Sequence, residues 1–251
     1  FKQLCQPNVA SLSDIEPEKK PDIRIVGSLK LNAVSTPVNK TFADQLRAAA
    51  GSRPILLAAS THSPEEQILL KASQEVVRAG YPHLLIIAPR HSDRSQDIAR
   101  LMPQAAHRSK NQLPLLGDNH FLADSFGEMS SLVTAADIVI LGGSFVPKGG
   151  HNPLEIAALS TPLITGPSQF KNKVEFDTLQ QYGQCITVKD GAALVKQLII
   201  WLEALRTNGR AIPQDNLDKA CAYVKQACER PTKTARLIID RLPTQHHPNQ
   251  N

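Results

Sequence analysis

The chain has 251 residues, 41% of them hydrophobic and 20% charged, which supplies a sizeable core and leaves too few charges for a disordered chain. Its formal charge of +5 suits an anionic partner, yet Lys and Arg form no run and aromatics reach only 4%, which argues against a nucleic-acid binder. No apolar run approaches the roughly 20 residues of a membrane span, no signal peptide is present, and Cys5, Cys185, Cys221 and Cys228 contain no Cys-x-x-Cys pair, so reduced cytosolic thiols without a metal site are expected.

Residues 1–22 are polar and punctuated by Pro7, Pro17 and Pro21, which reads as a linker or the remnant of another domain; a start at Phe1 suggests a longer parent protein. A short apolar stretch covers 23–31 and a short helix 42–50. From Pro54 onward, strands alternate with helices. Residues 55–59 are continuously apolar, the pattern of a parallel strand buried on both faces. The next helix has Ser63 as N-cap, Pro64 in its first position, Glu66 completing a capping box and Gly80 as its stop. A second buried strand at 84–88 ends in Pro89-Arg90-His91. Helices at 97–101, 127–135 and 153–159 then alternate with strands at 121–123, 138–141, 163–165 and 186–188.

An amphipathic helix over 191–206 runs through Leu194, Leu198, Trp201 and Leu205. Two helices at 216–229 and 232–242 follow, the second opened by Pro231, and the tail 243–251 with His246-His247 reads as disordered. The expected architecture is an α/β, Rossmann-like parallel sheet with helices on both faces over 23–212, then C-terminal helices over 213–242. Ligands of such sheets bind outside the carboxyl ends of the strands, which selects the loops that carry chemistry.

The richest loop runs from Gly142 to Glu155 and holds Gly142, Gly143, Gly149 and Gly150. It feeds a helix with Asn152 as cap and Pro153 in the first position, where free amides would cradle a phosphate or carboxylate. The blander reading is that Asn152 and Glu155 form a capping box and His151 is a surface histidine. Neither a P-loop nor Gly-x-Gly-x-x-Gly is present, and no Asp-x-Asp offers a metal for a diphosphate, so a monophosphate donor bound without metal fits best. Arg90 can pair with a base or an anion, or simply with a surface acid. Ser60-Thr61-His62 and Ser125-Phe126-Gly127-Glu128 offer hydroxyls and a first-turn acid at helix starts, where capping is the alternative.

These motifs, Ala58-Ala59-Ser60-Thr61-His62 with Glu65-Glu66, Ala88-Pro89-Arg90-His91, Asp124-Ser125-Phe126-Gly127-Glu128-Met129 and the Gly142–Glu155 string, resemble in order and spacing the 3-deoxy-D-manno-octulosonate (Kdo) transferases of lipopolysaccharide core synthesis. The resemblance runs from Gly27-Ser28-Leu29-Lys30 to Gly166-Pro167 and weakens beyond. It departs at Ser168-Gln169-Phe170-Lys171-Asn172 and at Lys30-Leu31-Asn32, where the family pattern differs.

The resemblance implies the C-terminal half of a GT-B glycosyltransferase that binds CMP-Kdo without a metal and inverts the anomeric centre. It implies that Pro89 and Arg90 hold the cytidine. Phe126, Gly127, Glu128, Asn152, Pro153, Leu154 and Glu155 would surround the CMP, with Glu155 on the ribose. Ser60, Thr61, Gly143, Lys148 and His151 would lie near the Kdo carboxylate or the phosphate. The acceptor, a lipid A precursor, and the glutamate base would belong to an N-terminal domain. That domain would also carry the membrane association at the cytoplasmic face of the inner membrane, and this part alone would be inactive. The final helices would cross back to it. The rival readings are a GT-B enzyme using a UDP-sugar and a non-catalytic nucleotide-sugar-binding module.

Overall fold

The computed structural model describes residues 37–241. The expectations for 1–22, 23–31, the Gly27–Lys30 and Lys30–Asn32 matches, Cys5 and the tail 243–251 lie outside these residues.

The chain order is α1 (Lys40–Ala50), β1 (Ile55–Thr61), α2 (Glu65–Arg78), β2 (Leu84–Pro89), α3 (Ser95–Leu101), β3 (Ala106–His107), β4 (His120–Leu122), α4 (Met129–Ala135), β5 (Ile138–Leu141), α5 (Leu154–Ala158), β6 (Leu163–Thr165), α6 (Lys173–Gln181), β7 (Cys185–Thr187), α7 (Gly191–Asn208) and α8 (Gln214–Ile239). The seven strands form one sheet in the order β3-β4-β2-β1-β5-β6-β7, and every pairing is parallel. The chain begins at the centre with β1, moves outward on one side, then returns to place β5 against β1 on the other. That reversal makes the β1/β5 crevice the topological switch point, where open α/β sheets take their ligands.

Alternation along β1 explains why the strand reads as apolar throughout. Ile55, Leu57 and Ala59 join one core with Phe42, Leu46, Phe121, Leu154, Phe176 and Val224. Leu56 and Ala58 point the other way, into a second core with Leu69, Val76, Ile98, Leu198 and Trp201. Both faces are therefore covered by helices, as a parallel sheet requires. Each fully buried Leu, Ile or Phe side chain contributes roughly 1.5–3 kcal/mol. α2 packs on α7, and α8 packs on α5.

Three expectations change. The capping box at Ser63 is absent: Pro64 occupies the cap position without a side-chain cap bond, and both following acids are used elsewhere. The strand Ala106–His107 and the helix Lys173–Gln181 were not anticipated from the sequence. The helices expected at 216–229 and 232–242 are one continuous α8 containing Pro231, whose missing N–H costs a single rung while Leu217, Ala220, Val224 and Ala227 anchor the preceding turns. The first half of α8 is buried in this domain.

Among the described residues, no helix is long and apolar enough to cross a membrane. Cys185, Cys221 and Cys228 are free thiols, and burial raises the pKa of Cys185 and Cys228.

Candidate functional site

At the carboxyl end of the central strands lies a cleft of about 200 Å³. β1 supplies Ala59 and Ser60, β5 supplies Leu141, and Arg90 follows β2. Met129 at the start of α4 and His151, Asn152, Glu155 and Ile156 around α5 complete the wall. Ser60 sits at φ 57, in the left-handed region that non-glycine residues rarely adopt, where the β1/β2 register slips. Its neighbour across the crevice has to be glycine, since a Cβ on Gly142 would lie 2.3 Å from the Ser60 carbonyl oxygen.

The glycine loop is held in a way that its sequence does not reveal. Glu65, fully buried at the start of α2, accepts hydrogen bonds from the backbone N–H groups of His62 (2.9 Å), Gly143 (2.8 Å), Ser144 (3.0 Å) and Phe145 (2.9 Å). Positive φ at Gly143 helps turn these amides inward. Further along, Gly149 N–H donates to Ser168 Oγ, Gly150 N–H to the Gly143 carbonyl, and Leu154 N–H to Asn152 Oδ1. The expected amide cradle is therefore filled by the protein itself. Of the amides from Gly149 to Asn152, only that of Asn152 has no partner among the described residues. α5 has only five residues, so its dipole adds little.

The Arg90 side chain is exposed and makes no hydrogen bond or ion pair among the described residues, and the same holds for the side chains of Lys148 and Lys171. His62 and His151 stack in parallel with their Nε2 atoms 2.9 Å apart, and the His91 ring meets His62 edge-on. Burial lowers the pKa of His151 to about 4, helped by the positive potential of His62, Arg90, Lys171 and His91. Burial also lowers that of His62, with His91, Lys148 and Arg94 adding to the effect and Glu66 opposing it. Burial raises the Glu155 carboxyl above its usual range, partly offset by Arg90. Positive groups outnumber acids around the cleft, where Glu155 is the one acid of the lining and makes no ion pair with Arg90, an arrangement suited to an anion.

Of the residues expected from the sequence, Ser60, Arg90, His151, Asn152 and Glu155 meet in this cleft. Pro89 closes β2 beside it, and Lys148 acts on His62. Leu154 faces the core with no exposure, so only its backbone is available, and Pro153 is buried beside it. Thr61 is fully buried and donates its hydroxyl to Glu66 Oε1 at 2.7 Å, which takes it out of ligand reach. Glu66 is also clamped by Arg94 through two bonds of 2.9 Å.

Glu128 pairs with Arg108 through contacts of 2.6, 2.9 and 3.1 Å and accepts from Ser125, so it anchors its loop rather than facing the cleft. Gly127 has φ +79 in that loop, and Phe126 stands 72% exposed at its tip. Among the described residues, no group of three or more His, Cys, Asp or Glu is placed to hold a metal ion.

A larger hollow of about 380 Å³ opens at the opposite, amino end of the sheet. Its cations are already satisfied: Arg47 by Asp137 at 2.6 Å, Arg206 by Glu203, and Arg53 by the carbonyls of Ala49 and Ala50. Charge separates the two ends.

The chain is 35% identical to the 3-deoxy-D-manno-octulosonic acid transferase of Haemophilus influenzae over 186 residues, 72% of this chain and 43% of the relative. Against the Rickettsia felis transferase of the same name it is 30% identical over 203 residues, 76% of this chain and 44% of the relative. The crystal structure of the C-terminal CMP-Kdo binding domain of WaaA from Acinetobacter baumannii superimposes with a TM-score of 0.62 at 26% identity, covering 74% of this chain and 98% of that one. The chain belongs to the 3-deoxy-D-manno-octulosonic acid transferase family.

It spans under half the length of the Kdo transferases that it matches. No protein-family model matches it. A glycosyltransferase from Rickettsia africae shares the fold at a TM-score of 0.55 and 14% identity. The Rossmann-like α/β class expected from the sequence is thus that of a GT-B C-terminal domain. Glu65 and the imidazole pair are the features that sequence reading missed. Apart from the local His62 N–H, their partners lie 78 to 80 and 89 residues away, beyond any local pattern, although Glu65 and His62 stand inside one of the motifs.

Proposed function

We propose that this chain is the donor-binding half of an inverting glycosyltransferase that transfers Kdo from CMP-Kdo to a lipid A precursor. The observation that carries the reading is the switch-point cleft, where the Arg90 side chain makes no ion pair, Lys148 and Lys171 add positive charge beside its histidines, and burial raises the Glu155 carboxyl above its usual range. CMP-Kdo brings two acidic groups, a phosphodiester and a carboxylate. In this assignment Arg90 and Pro89 meet the cytidine, Phe126 covers it, and Glu155 accepts from ribose hydroxyls. Ser60, Asn152 and His151 lie toward the phosphate and the Kdo carboxylate.

During transfer the bond from the anomeric carbon to the phosphate oxygen breaks, and the electron pair leaves with CMP. Arg90 and the neighbouring cations stabilise that charge as it develops. They do so in place of a divalent metal. The acceptor site, the base that takes the acceptor's proton and the contact with the cytoplasmic face of the inner membrane are assigned to the remainder of the enzyme, since the chain spans under half of its relatives.

Titration calorimetry with CMP and UDP tests the reading. Binding of CMP in preference to UDP, with the affinity reduced about tenfold in Glu155→Ala, is the expected result, on the order of 1–1.5 kcal/mol for a hydrogen-bonding partner removed. Preference for UDP sinks the donor assignment, and unchanged CMP affinity in the variant sinks the ribose role.

A further inference from the structure

We infer that His62 and His151 work as one receptor for an acidic group of the donor, taking up a single proton from solvent when that group enters and then presenting two outward N–H donors to it. The inference rests on the donor reading above and deepens it.

Geometry carries the inference. A 2.9 Å contact between two Nε2 atoms is a hydrogen bond only if one nitrogen bears the hydrogen and the other offers its lone pair. In the neutral pair, the ring that donates through Nε2 has a bare Nδ1, and the ring that accepts has an Nδ1–H. One outward edge is then an acceptor and the other a donor. Adding one proton leaves the internal bond intact and turns both Nδ1 atoms into donors. Neither Nδ1 has a partner among the described residues, and His151 lines the cleft.

The surroundings set when that proton is gained. His91 and Arg90 face the pair from the β2 loop, Lys148 from the β5 loop and Lys171 from the β6 loop. Arg94 lies beyond, tied to Glu66, and Glu66 is the acid that acts on His62. Glu65 is spent on its four amides, and Glu155 acts on Arg90. With so much positive charge and both rings half-buried, the pair by itself stays neutral near pH 7. A phosphate or carboxylate beside Arg90 cancels that charge, so the pair gains its proton as the ligand binds. The sign is diagnostic. A phosphate monoester entering a cationic site sheds its own proton, because nearby positive charge lowers its pKa, so net uptake has to come from the protein.

Calorimetry of CMP binding near pH 7 in two buffers of different ionisation enthalpy reads this directly. Net proton uptake is expected in the native chain, with affinity falling by up to about tenfold from pH 7 to pH 8, the limit for one linked proton. His151→Gln, which can still bond to His62, removes both effects. Imidazole nitrogen shifts of the native chain, which require no variant, show the two rings gaining one proton together on CMP addition. CMP binding with no uptake, net release, or unchanged imidazole shifts overturns the inference and leaves the donor reading standing. Absence of any CMP binding overturns both.

Discussion

Two groups of positive or hydrogen-bond-donating elements sit a few residues apart in this molecule, and they differ in whether the protein supplies their anion. Around Gly143–Phe145 the protein supplies it: the Glu65 carboxylate collects four backbone amides in a buried setting. Around Arg90, His151 and Lys171 the cationic side chains make no ion pair among the described residues. The first arrangement is a frame, and the second is the proposed receptor. A glycine-rich loop before a helix is thus insufficient evidence of a phosphate site, because the same amides can be consumed by a carboxylate brought from elsewhere in the chain.

Breaking the frame has the largest expected effect. Glu65→Ala strands several buried N–H groups, each costing about 1–3 kcal/mol, so a loss of roughly 3 kcal/mol or more is expected in urea unfolding. A loss below about 1 kcal/mol means that the loop does not depend on Glu65. Gly142→Ala attacks the same frame through sterics, forcing β1 and the glycine loop apart from the 2.3 Å overlap with the Ser60 carbonyl. Its expected cost is about 1–3 kcal/mol, in the range of overpacking, and a melting temperature equal to that of the native chain contradicts it.

The receptor is expected to respond in the opposite way. Arg90→Ala leaves unfolding unchanged, since the Arg90 side chain makes no hydrogen bond or ion pair among the described residues, and weakens CMP binding about 10- to 100-fold, as expected for a charged hydrogen-bonding group. A large fall in stability instead places Arg90 in the frame. Acid sharpens the contrast further. Burial alone pushes Glu66 upward, but the bonds from Arg94 and Thr61 outweigh it and bring its pKa below the usual value. The stabilisation is therefore fully present above the ordinary carboxylate range and is lost as pH falls through the depressed value. Glu155 has a raised pKa, so its charged form is a burden on the empty fold. The smallest predicted effect follows: Glu155→Gln slightly raises the melting temperature while lowering CMP affinity. A lower melting temperature contradicts that account.

The fold was legible where physics acts locally. Parallel strands buried on both faces announce themselves as continuous apolar runs, and the β1, β2 and β5 runs fell within the observed strands or on their bounds. What escaped lacks a local signal. Ala106–His107 is only two residues long, and Lys173–Gln181 buries only Phe176 and Leu179 on an otherwise polar helix. Pro231 suggested a break because propriety of backbone bonding is local, whereas the packing that carries α8 through it is not. The same division holds in the site. Arg90, His151, Asn152 and Glu155 were legible from loop position and motif and do converge. Glu65 and Glu66 looked like helix-start acids, and only the folded chain shows one tied to the glycine loop and the other to Arg94.

A crystal structure of this chain with CMP is the most direct test of the receptor. The account predicts the phosphate against the side chains of Arg90 and the His62–His151 pair, the ribose on Glu155, and Glu65 still holding its four amides. A phosphate seated on the Gly143–Phe145 amides with Glu65 displaced, or a cleft left empty beside bound nucleotide elsewhere, contradicts it.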